Sequence, residues 1–309
     1  MIKRLLILLL ALQAAAIALL ASGLYCWWQP AWKAEPGLAA VALASAALLV
    51  LLLRMAISAN NFYLSRRAGS STPAAHALKP LGAIRLFWHE FTSSMLTSSW
   101  YMLRPLGLQL QPSARGLPVL LIHGYACNSG YWRPMSKRLQ QARISHYGID
   151  LEPPGASIDD FVPQVQAAVE RLCAATGSTQ VVILGHSMGG LVARAYLRRY
   201  GAARIARVIT LGTPHHGTAL ASLGPGSNAA QMRRDSHWLG ALAADEANTQ
   251  RTLFSSIYSV HDNIVAPQDS SDLPGARNLV FGAIGHVALG RHPQIVRCAL
   301  QEIEAVAHA

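Results

Sequence analysis

The stretch LGHSMGGLVAR, from Leu184 to Arg194, places a serine between a predicted strand and a predicted helix. Just before it, Gln180 to Leu184 is apolar and rich in β-branched residues, which is typical of a buried strand in a parallel sheet. After it, Leu191 to Tyr200 has the pattern of a helix that Gly201 ends. This order predicts that Ser187 lies on a sharp turn where a strand passes into a helix.

The glycines on either side of Ser187 suit such a turn. Gly185 and Gly189 lack a Cβ, which lets the strand and the helix approach each other closely. The helix then begins beside the serine, so its dipole and the backbone N–H of Met188 face a negative charge that forms there. A Gly-x-Ser-x-Gly pattern alone arises by chance, and the flanking elements make Ser187 a candidate nucleophile.

Two further segments have the same character. LPVLLIHGYACNSGYW, residues 117–132, contains a predicted strand from Pro118 to Ile122. ITLGTPHHGT, residues 209–218, begins inside another, from Arg207 to Leu211. Apolar strands that alternate with helical segments predict a mostly parallel α/β sheet.

Together, LLIHGY, GHSMGG and ITLGTPHHGT resemble the lipase and esterase branch of the α/β-hydrolase family, of the bacterial triacylglycerol lipase type. The resemblance covers roughly Pro105 to Val306. It implies the α/β-hydrolase fold, with helices on both faces of the sheet and a small lid. It also implies that the backbone N–H of Tyr125 is the second oxyanion donor, and that His123 and His186 are structural.

A serine nucleophile needs a base and a carboxylate that orients the base, and in this fold they follow the serine in the order acid, then histidine. Asp262, in YSVHDNIV, comes just after a predicted strand from Leu253 to Val260. His286, in GAIGHVAL, follows the last predicted strand, Asn278 to Ala283. Both positions lie at strand carboxyl ends, where ligands collect in open parallel sheets. We therefore expect a triad of Ser187, Asp262 and His286.

Other acids and histidines in this region fit less well. Asp269 and Asp272 lie in a Ser/Pro/Gly-rich loop, and His292 begins the final predicted helix, so these three read as turn and cap residues. His261 precedes Asp262, and a base there would break the chain order.

An insertion between the predicted strands, Ala219 to Gln250, is expected to cover the site. It is either a mobile amphipathic lid that opens to an acyl chain or a fixed cap for a small ester. Arg233 and Arg234 within it either meet lipid head groups or are simply solvated.

The N-terminal residues 1–57 predict a two-helix transmembrane hairpin. Its spans are about 5–28 and 38–57, the second with Arg54 placed to snorkel. A polar break joins the spans, and an aromatic belt lies at this boundary. The break contains Pro30, Lys33, Glu35, Pro36 and Gly37, and the belt contains Trp27, Trp28 and Trp32.

Basic residues outside the spans predict their orientation. Lys3 and Arg4 precede the first span, several arginines follow the second, and only Lys33 lies between them. The excess of basic residues outside both ends of the hairpin favours a bacterial inner-membrane protein with a cytoplasmic catalytic domain. The alternative is a signal peptide cleaved near Ala21 to Gly23.

Residues 58–104 are expected to form a linker and an amphipathic helix, before a catalytic domain at 105–309. In this helix an apolar stripe recurs at helical spacing, and it either lies on a membrane surface or packs on the catalytic domain. The stripe consists of Ile84, Phe87, Trp88, Phe91 and Met95.

Composition restricts the partners. The net charge of +11 comes without a nucleic-acid motif, which favours anionic lipid over nucleic acid. The four cysteines show no metal-binding or disulfide-scaffold spacing, and the adjacent His215 and His216 have no third ligand nearby. We expect no metal and no cofactor.

These features predict a membrane-anchored serine hydrolase that cleaves carboxylic esters through an acyl-enzyme on Ser187. The substrate would be an ester or a lipid. An acyltransferase with the same triad is the alternative, and a non-catalytic membrane scaffold is a weaker one. The sequence leaves the acyl-chain length, head group and oligomeric state open.

Overall fold

A computed structural model describes residues 1–32, 37–246 and 248–307 of the chain. Within these residues seven strands form one sheet. The strands are β1 (Leu108–Gln109), β2 (Val119–Ile122), β3 (His146–Ile149), β4 (Val181–His186), β5 (Ile205–Leu211), β6 (Phe254–Ser259) and β7 (Arg277–Phe281).

The strand order across the sheet is β1-β3-β2-β4-β5-β6-β7. Only β1 runs antiparallel to its neighbour, and every other pair is parallel. Because parallel strands share a direction, the loops after β2, β4, β6 and β7 all leave the same edge of the sheet. This edge carries every predicted catalytic residue.

The helices surround the sheet and precede it. They are α1 (Ile2–Trp32), α2 (Leu38–Ala68), α3 (Pro80–Leu96), α4 (Arg133–Gln141), α5 (Ile158–Thr176), α6 (Met188–Tyr200), α7 (Ser227–Gln231), α8 (His237–Ala244), α9 (Asn248–Arg251) and α10 (Pro293–Ala307).

Two hydrophobic cores lie on opposite faces of the sheet because successive strand residues point to opposite sides. In β4, Val181 and Ile183 pack with α5 and α6 on one face. Val182 and Leu184, the residues in between, pack with α4 and α10 on the other. The predicted α/β-hydrolase fold, with helices on both faces, is confirmed.

The N-terminal helices α1 and α2 pack against each other. Ile2–Trp28 and Leu38–Ala68 are each long and apolar enough to cross a membrane. Of the predicted polar break, Lys33, Glu35 and Pro36 lie outside the described residues.

The second helix is longer than the span predicted at 38–57. It continues to Ala68, and the chain becomes extended only at Gly69 (φ −82°, ψ 163°). The predicted linker from Ser58 is therefore wrong over its first part, because Ser58 to Ala68 contains neither proline nor glycine and a polar composition alone does not end a helix.

The helix α3 packs on the catalytic domain through one face. Leu86, Glu90, Phe91 and Ser93 are buried there. The opposite face, with Leu81, Ile84 and Trp88, is exposed. The residues of the predicted apolar stripe therefore lie on two faces of α3. Phe91 is buried against the catalytic domain, while Ile84 and Trp88 face outward.

Candidate active site

Ser187 occupies a strained turn between β4 and α6. Its backbone has φ 53° and ψ −123°, and its N–H donates to the carbonyl of Leu211 in β5 at 2.9 Å. A Cβ at Gly185 would lie 2.8 Å from the backbone of Gly189, and one at Gly189 would collide with the carbonyl of Ile122 in β2. Only glycine permits this close packing of helix on strand.

Asp262 and His286 meet after β6 and β7. The His286 Nδ1 lies 2.7 Å from Asp262 Oδ2. The other carboxylate oxygen, Oδ1, accepts the N–H groups of Ile264 and Val265 at 2.8 Å each. Asp262 and His286 are both buried. The backbone thus fixes the carboxylate, and the carboxylate fixes the imidazole with its proton on Nδ1 and Nε2 free to act as a base.

The surroundings favour the protonated form of this imidazole. Burial alone would lower the pKa of His286, but the charge and hydrogen bond of Asp262, together with the charge of Glu90, raise it above the usual value. A base with a raised pKa holds a transferred proton well.

Ser187 Oγ forms no hydrogen bond to any residue that the structure describes. The ring of His186, which precedes it, lies 4.6 Å from the ring of His286. The structure thus brings Asp262 and His286 into direct contact, and the residue next to Ser187 lies against His286. Catalytic hydrogen bonds are often loose without substrate.

Two backbone N–H groups border the serine. Met188 is the first residue of α6, so its N–H has no acceptor within that helix. The N–H of Tyr125 donates to no described residue. The preceding Gly124 lies against Ser187, since a Cβ at Gly124 would lie 3.0 Å from Ser187 Cβ. Both predicted oxyanion donors therefore border the nucleophile, and their role stays a prediction.

Comparison with known proteins shows which family part of the chain matches. Residues 118–262 match the family described as the alpha/beta hydrolase fold. The resemblance of the chain to the α/β-hydrolase family is thus confirmed over these residues. The match runs from the strand before Tyr125 to Asp262, and His286 lies beyond it.

The chain is similar to two triacylglycerol lipases, from Pseudarthrobacter phenanthrenivorans and Burkholderia plantarii. Each is 34% identical over 122 residues, which is 35% of this chain. The aligned part covers 36% and 32% of these relatives, so the chain spans about a third of their length.

Solved structures support the same fold. A Bacillus licheniformis lipase in its mature form superposes with a TM-score of 0.55 at 19% identity, over 62% of this chain and 94% of its own. Aspergillus fumigatus lipase B superposes with a TM-score of 0.54 at 18% identity, over 66% and 60%. At these identities the likeness concerns the fold.

Two histidines beside the predicted triad are held by backbone groups. His123 lies 2.8 Å from the carbonyl of Gly124 through Nδ1 and accepts the N–H of Leu151 through Nε2. His186 donates from Nε2 to the carbonyl of His286 at 3.1 Å. Burial lowers the pKa of both histidines. Their geometry suits the structural roles expected for them.

The rival histidines have other partners. His261 Nδ1 accepts the N–H of Ala283, and the ring of His292 packs on His89. His215 is buried and contacts Thr210, whereas His216 contacts the carbonyl of Asp272. The two rings thus have separate partners.

One acidic residue of the site was not predicted. Glu90 of α3 is buried and accepts the N–H groups of Val287 and Ala288, directly after His286. Its signal in the sequence was an acid on the buried face of an amphipathic helix, in register with Leu86 and Ser93.

The insertion over the site forms a cap anchored at several points. Trp238 Nε1 donates to Asp159 at 2.7 Å, and Tyr125 OH donates to the carbonyl of Pro225 at 2.7 Å. At its far end Glu246 forms a buried two-point ion pair with Arg194 of α6. The short 3-10 helix Ala219–Leu223 of the cap packs against α2.

A cavity of about 510 Å³ lies beside the acid rather than the serine. It separates the end of α2 and the face of α3 from the loop after β6. Its lining includes Phe62, Leu86, Phe87, His261, Asp262 and Gln268.

Proposed function

We propose that the protein is a membrane-anchored serine hydrolase that cleaves carboxylic esters through an acyl-enzyme on Ser187. The observation that carries this proposal is the combination of a strained serine turn with the 2.7 Å bond between Asp262 and His286. The similarity to triacylglycerol lipases supports it, and so does the family match over residues 118–262, which contain Ser187.

In the first half-reaction, His286 Nε2 removes the proton of Ser187 as Oγ attacks the ester carbonyl. The carbonyl oxygen becomes an oxyanion that the N–H groups of Tyr125 and Met188 stabilise, and loss of one such donor costs about 100- to 1,000-fold in rate. Asp262 stabilises the imidazolium. Collapse of the intermediate breaks the bond to the alkoxide, which takes the proton from His286 and leaves as the alcohol.

In the second half-reaction, His286 removes a proton from water, whose oxygen attacks the acyl-enzyme carbonyl. The same N–H groups hold the second oxyanion. Ser187 Oγ then leaves, regains a proton from His286, and releases the carboxylic acid.

The N-terminal helices support a membrane location. The two apolar helices are mostly exposed, as helices in contact with lipid would be. The exposed face of α3 continues this apolar surface with Leu81, Ile84 and Trp88, and Lys79 and Arg85 lie beside it. Such a face suits an interface with anionic lipid. The substrate we infer is therefore a carboxylic ester whose acyl chain is long enough to enter a membrane, rather than a short soluble ester.

The test uses full-length protein in detergent, a fluorophosphonate probe and p-nitrophenyl esters of graded chain length. Labelling and hydrolysis are expected in the wild type, and both are expected to be lost in Ser187→Ala. Ser113 is a matched control, because it is an exposed serine with the same φ of 53°. Ser113→Ala is expected to retain labelling and hydrolysis.

A wild type that neither reacts with the probe nor hydrolyses any ester would overturn the hydrolase proposal. If the protein hydrolyses only short soluble esters, the inferred long-chain substrate is wrong and the protein is an esterase.

A further inference from the structure

Three consecutive backbone N–H groups around His286 are held by side chains. The N–H of His286 donates to Asn263 Oδ1 at 2.9 Å. The next two, those of Val287 and Ala288, donate to Glu90 Oε1 and Oε2 at 2.9 Å each. They are the first N–H groups of the 3-10 helix Val287–Gly290, which has no acceptors for them within itself. Glu90 thus sets the start of this helix and the backbone that carries His286.

Glu90 reaches this position from outside the hydrolase domain. It lies on α3, which precedes the sheet, and is separated from Val287 by 197 residues in sequence. Its side chain is 1% exposed. Among the described residues no lysine or arginine pairs with it. A buried carboxylate without a cationic partner is costly, and polar groups of this kind concentrate at functional sites.

The turn before His286 is shaped around the same carboxylate. A Cβ at Gly285 would lie 2.5 Å from Glu90 Oε2 and 2.6 Å from its Cδ. The glycine therefore lets the loop close on Glu90, which contacts the residues on both sides of His286.

The ionisable groups around Glu90 are few. They are His286 and Asp262 from the two triad loops, and Tyr131 from the 3-10 helix Ser129–Trp132. Tyr131 OH accepts the N–H of Gly290 at 2.9 Å, so it holds the other end of the short helix. His286 is thus the group whose positive charge Glu90 can stabilise.

We propose that Glu90 is a positioning residue of the active site, which fixes the backbone of His286 and stabilises the imidazolium formed when His286 takes the Ser187 proton. This proposal rests on the proposed roles of Ser187 and His286. Burial raises the pKa of Glu90 to about 7, the charges of His286 and Asp262 act on it in opposite directions, and Glu90 in turn raises the pKa of His286. The helix α3 is therefore a component of the catalytic site.

The experiment compares Glu90→Gln and Glu90→Asp with wild type by the pH profile of kcat/KM. Glu90→Gln removes the charge, and its amide can accept only one of the two N–H groups. We expect kcat/KM on the plateau to fall by roughly tenfold or more, the factor that one pKa unit represents. Because the imidazolium loses an anionic neighbour, the acid limb is expected to move to lower pH.

Glu90→Asp keeps the charge on a shorter side chain. We expect its plateau to fall while its acid limb stays close to that of the wild type. Glu302 provides a matched control, because it is a buried glutamate that accepts from Ser255 at 2.6 Å, remote from the triad. Glu302→Gln is expected to leave both plateau and limb unchanged.

If Glu90→Gln folds but the acid limb of its kcat/KM profile does not move, the proposal is overturned, whatever the value of kcat/KM on the plateau. A merely structural role of Glu90 would lower the rate without moving the acid limb. If Glu90→Gln fails to fold, Gly285→Ala tests the same contact, since its methyl displaces the carboxylate. Its acid limb is then expected to move to lower pH, and an unmoved limb would overturn the proposal.

The pKa of His286 can also be measured without turnover, by NMR of labelled histidine in Ser187→Ala. Glu90→Gln in this background is expected to lower that pKa, and an unchanged value would overturn the proposal. This measurement separates the two proposals, because an inactive wild type overturns only the hydrolase function.

Discussion

Asp262 divides its two carboxylate oxygens between the backbone and His286. Oδ1 accepts two N–H groups of its own loop, and Oδ2 lies 2.7 Å from His286 Nδ1. One residue therefore orders the loop after β6 and selects the tautomer of the residue after β7. The two functions can be separated by substitution.

Asp262→Asn is expected to retain the fold and lose the activity. The amide oxygen can replace Oδ1 towards Ile264 and Val265, while the amide NH₂ faces His286 Nδ1 and favours the tautomer with the proton on Nε2. That tautomer cannot accept the serine proton. We expect kcat for a p-nitrophenyl ester to fall by about 10⁴-fold, with an unchanged thermal midpoint. Activity within tenfold of wild type would exclude Asp262 as the orienting acid.

The cap provides a test of whether it must move. Trp238→Phe removes the hydrogen bond to Asp159 and keeps an aromatic ring near Arg198. Such a bond contributes about 1 kcal/mol, so the cap is expected to open more often. We expect faster tryptic cleavage within residues 219–250 and faster hydrolysis of a long-chain ester. Faster cleavage without faster hydrolysis would mean that cap opening does not limit the reaction.

The orientation of the hairpin is tested with reporters fused to the C-terminus. The basic residues beyond both spans, including Arg66 and Arg67 in the last turn of α2, favour a cytoplasmic domain. We expect a fluorescent protein fusion to fluoresce and an alkaline phosphatase fusion to be inactive. Active phosphatase would place the domain on the other side, and an unanchored fusion in the soluble fraction would contradict membrane attachment.

The positions of the three predicted triad residues could be read from local signals. Ser187, Asp262 and His286 each follow an apolar strand, and in a parallel sheet strand ends share one edge. Chain order then excluded His261, which the structure places with Ala283. The same reasoning predicted five of the seven strands, among which β2 and β4 are apolar runs buried on both faces, whereas β1 and β3 were not predicted.

Other features depend on contacts between distant residues and had no local pattern. Glu90 is placed beside His286 by the packing of α3, and no spacing rule connects residues 197 apart. The end of α2 was predicted too early because Ser58 and the residues after it look like a linker in composition. These residues nevertheless continue the helix, and Phe62 lies near Phe87 of α3, with ring centroids 6.2 Å apart. Tertiary packing overrides weak propensity at such sites.

The titration of Glu90 predicts how stability depends on pH. Because burial raises the pKa of Glu90 from 4.5 to about 7, the folded state binds this proton more tightly than the unfolded state. The stability it contributes is complete below about pH 4.5 and is lost as the pH rises through about 7. At about 1.4 kcal/mol per pKa unit, the loss is about 3 kcal/mol.

Glu90→Gln has no such titration, so its free energy of unfolding is expected to fall less than that of the wild type between pH 5 and pH 8. Thermal midpoints of both proteins in detergent, followed by intrinsic fluorescence, measure the difference. We expect the midpoint of Glu90→Gln, relative to wild type, to rise by several degrees from pH 5 to pH 8. Parallel pH dependence of wild type and Glu90→Gln would mean that Glu90 is not titrated in this range, and that its carboxylate is charged throughout.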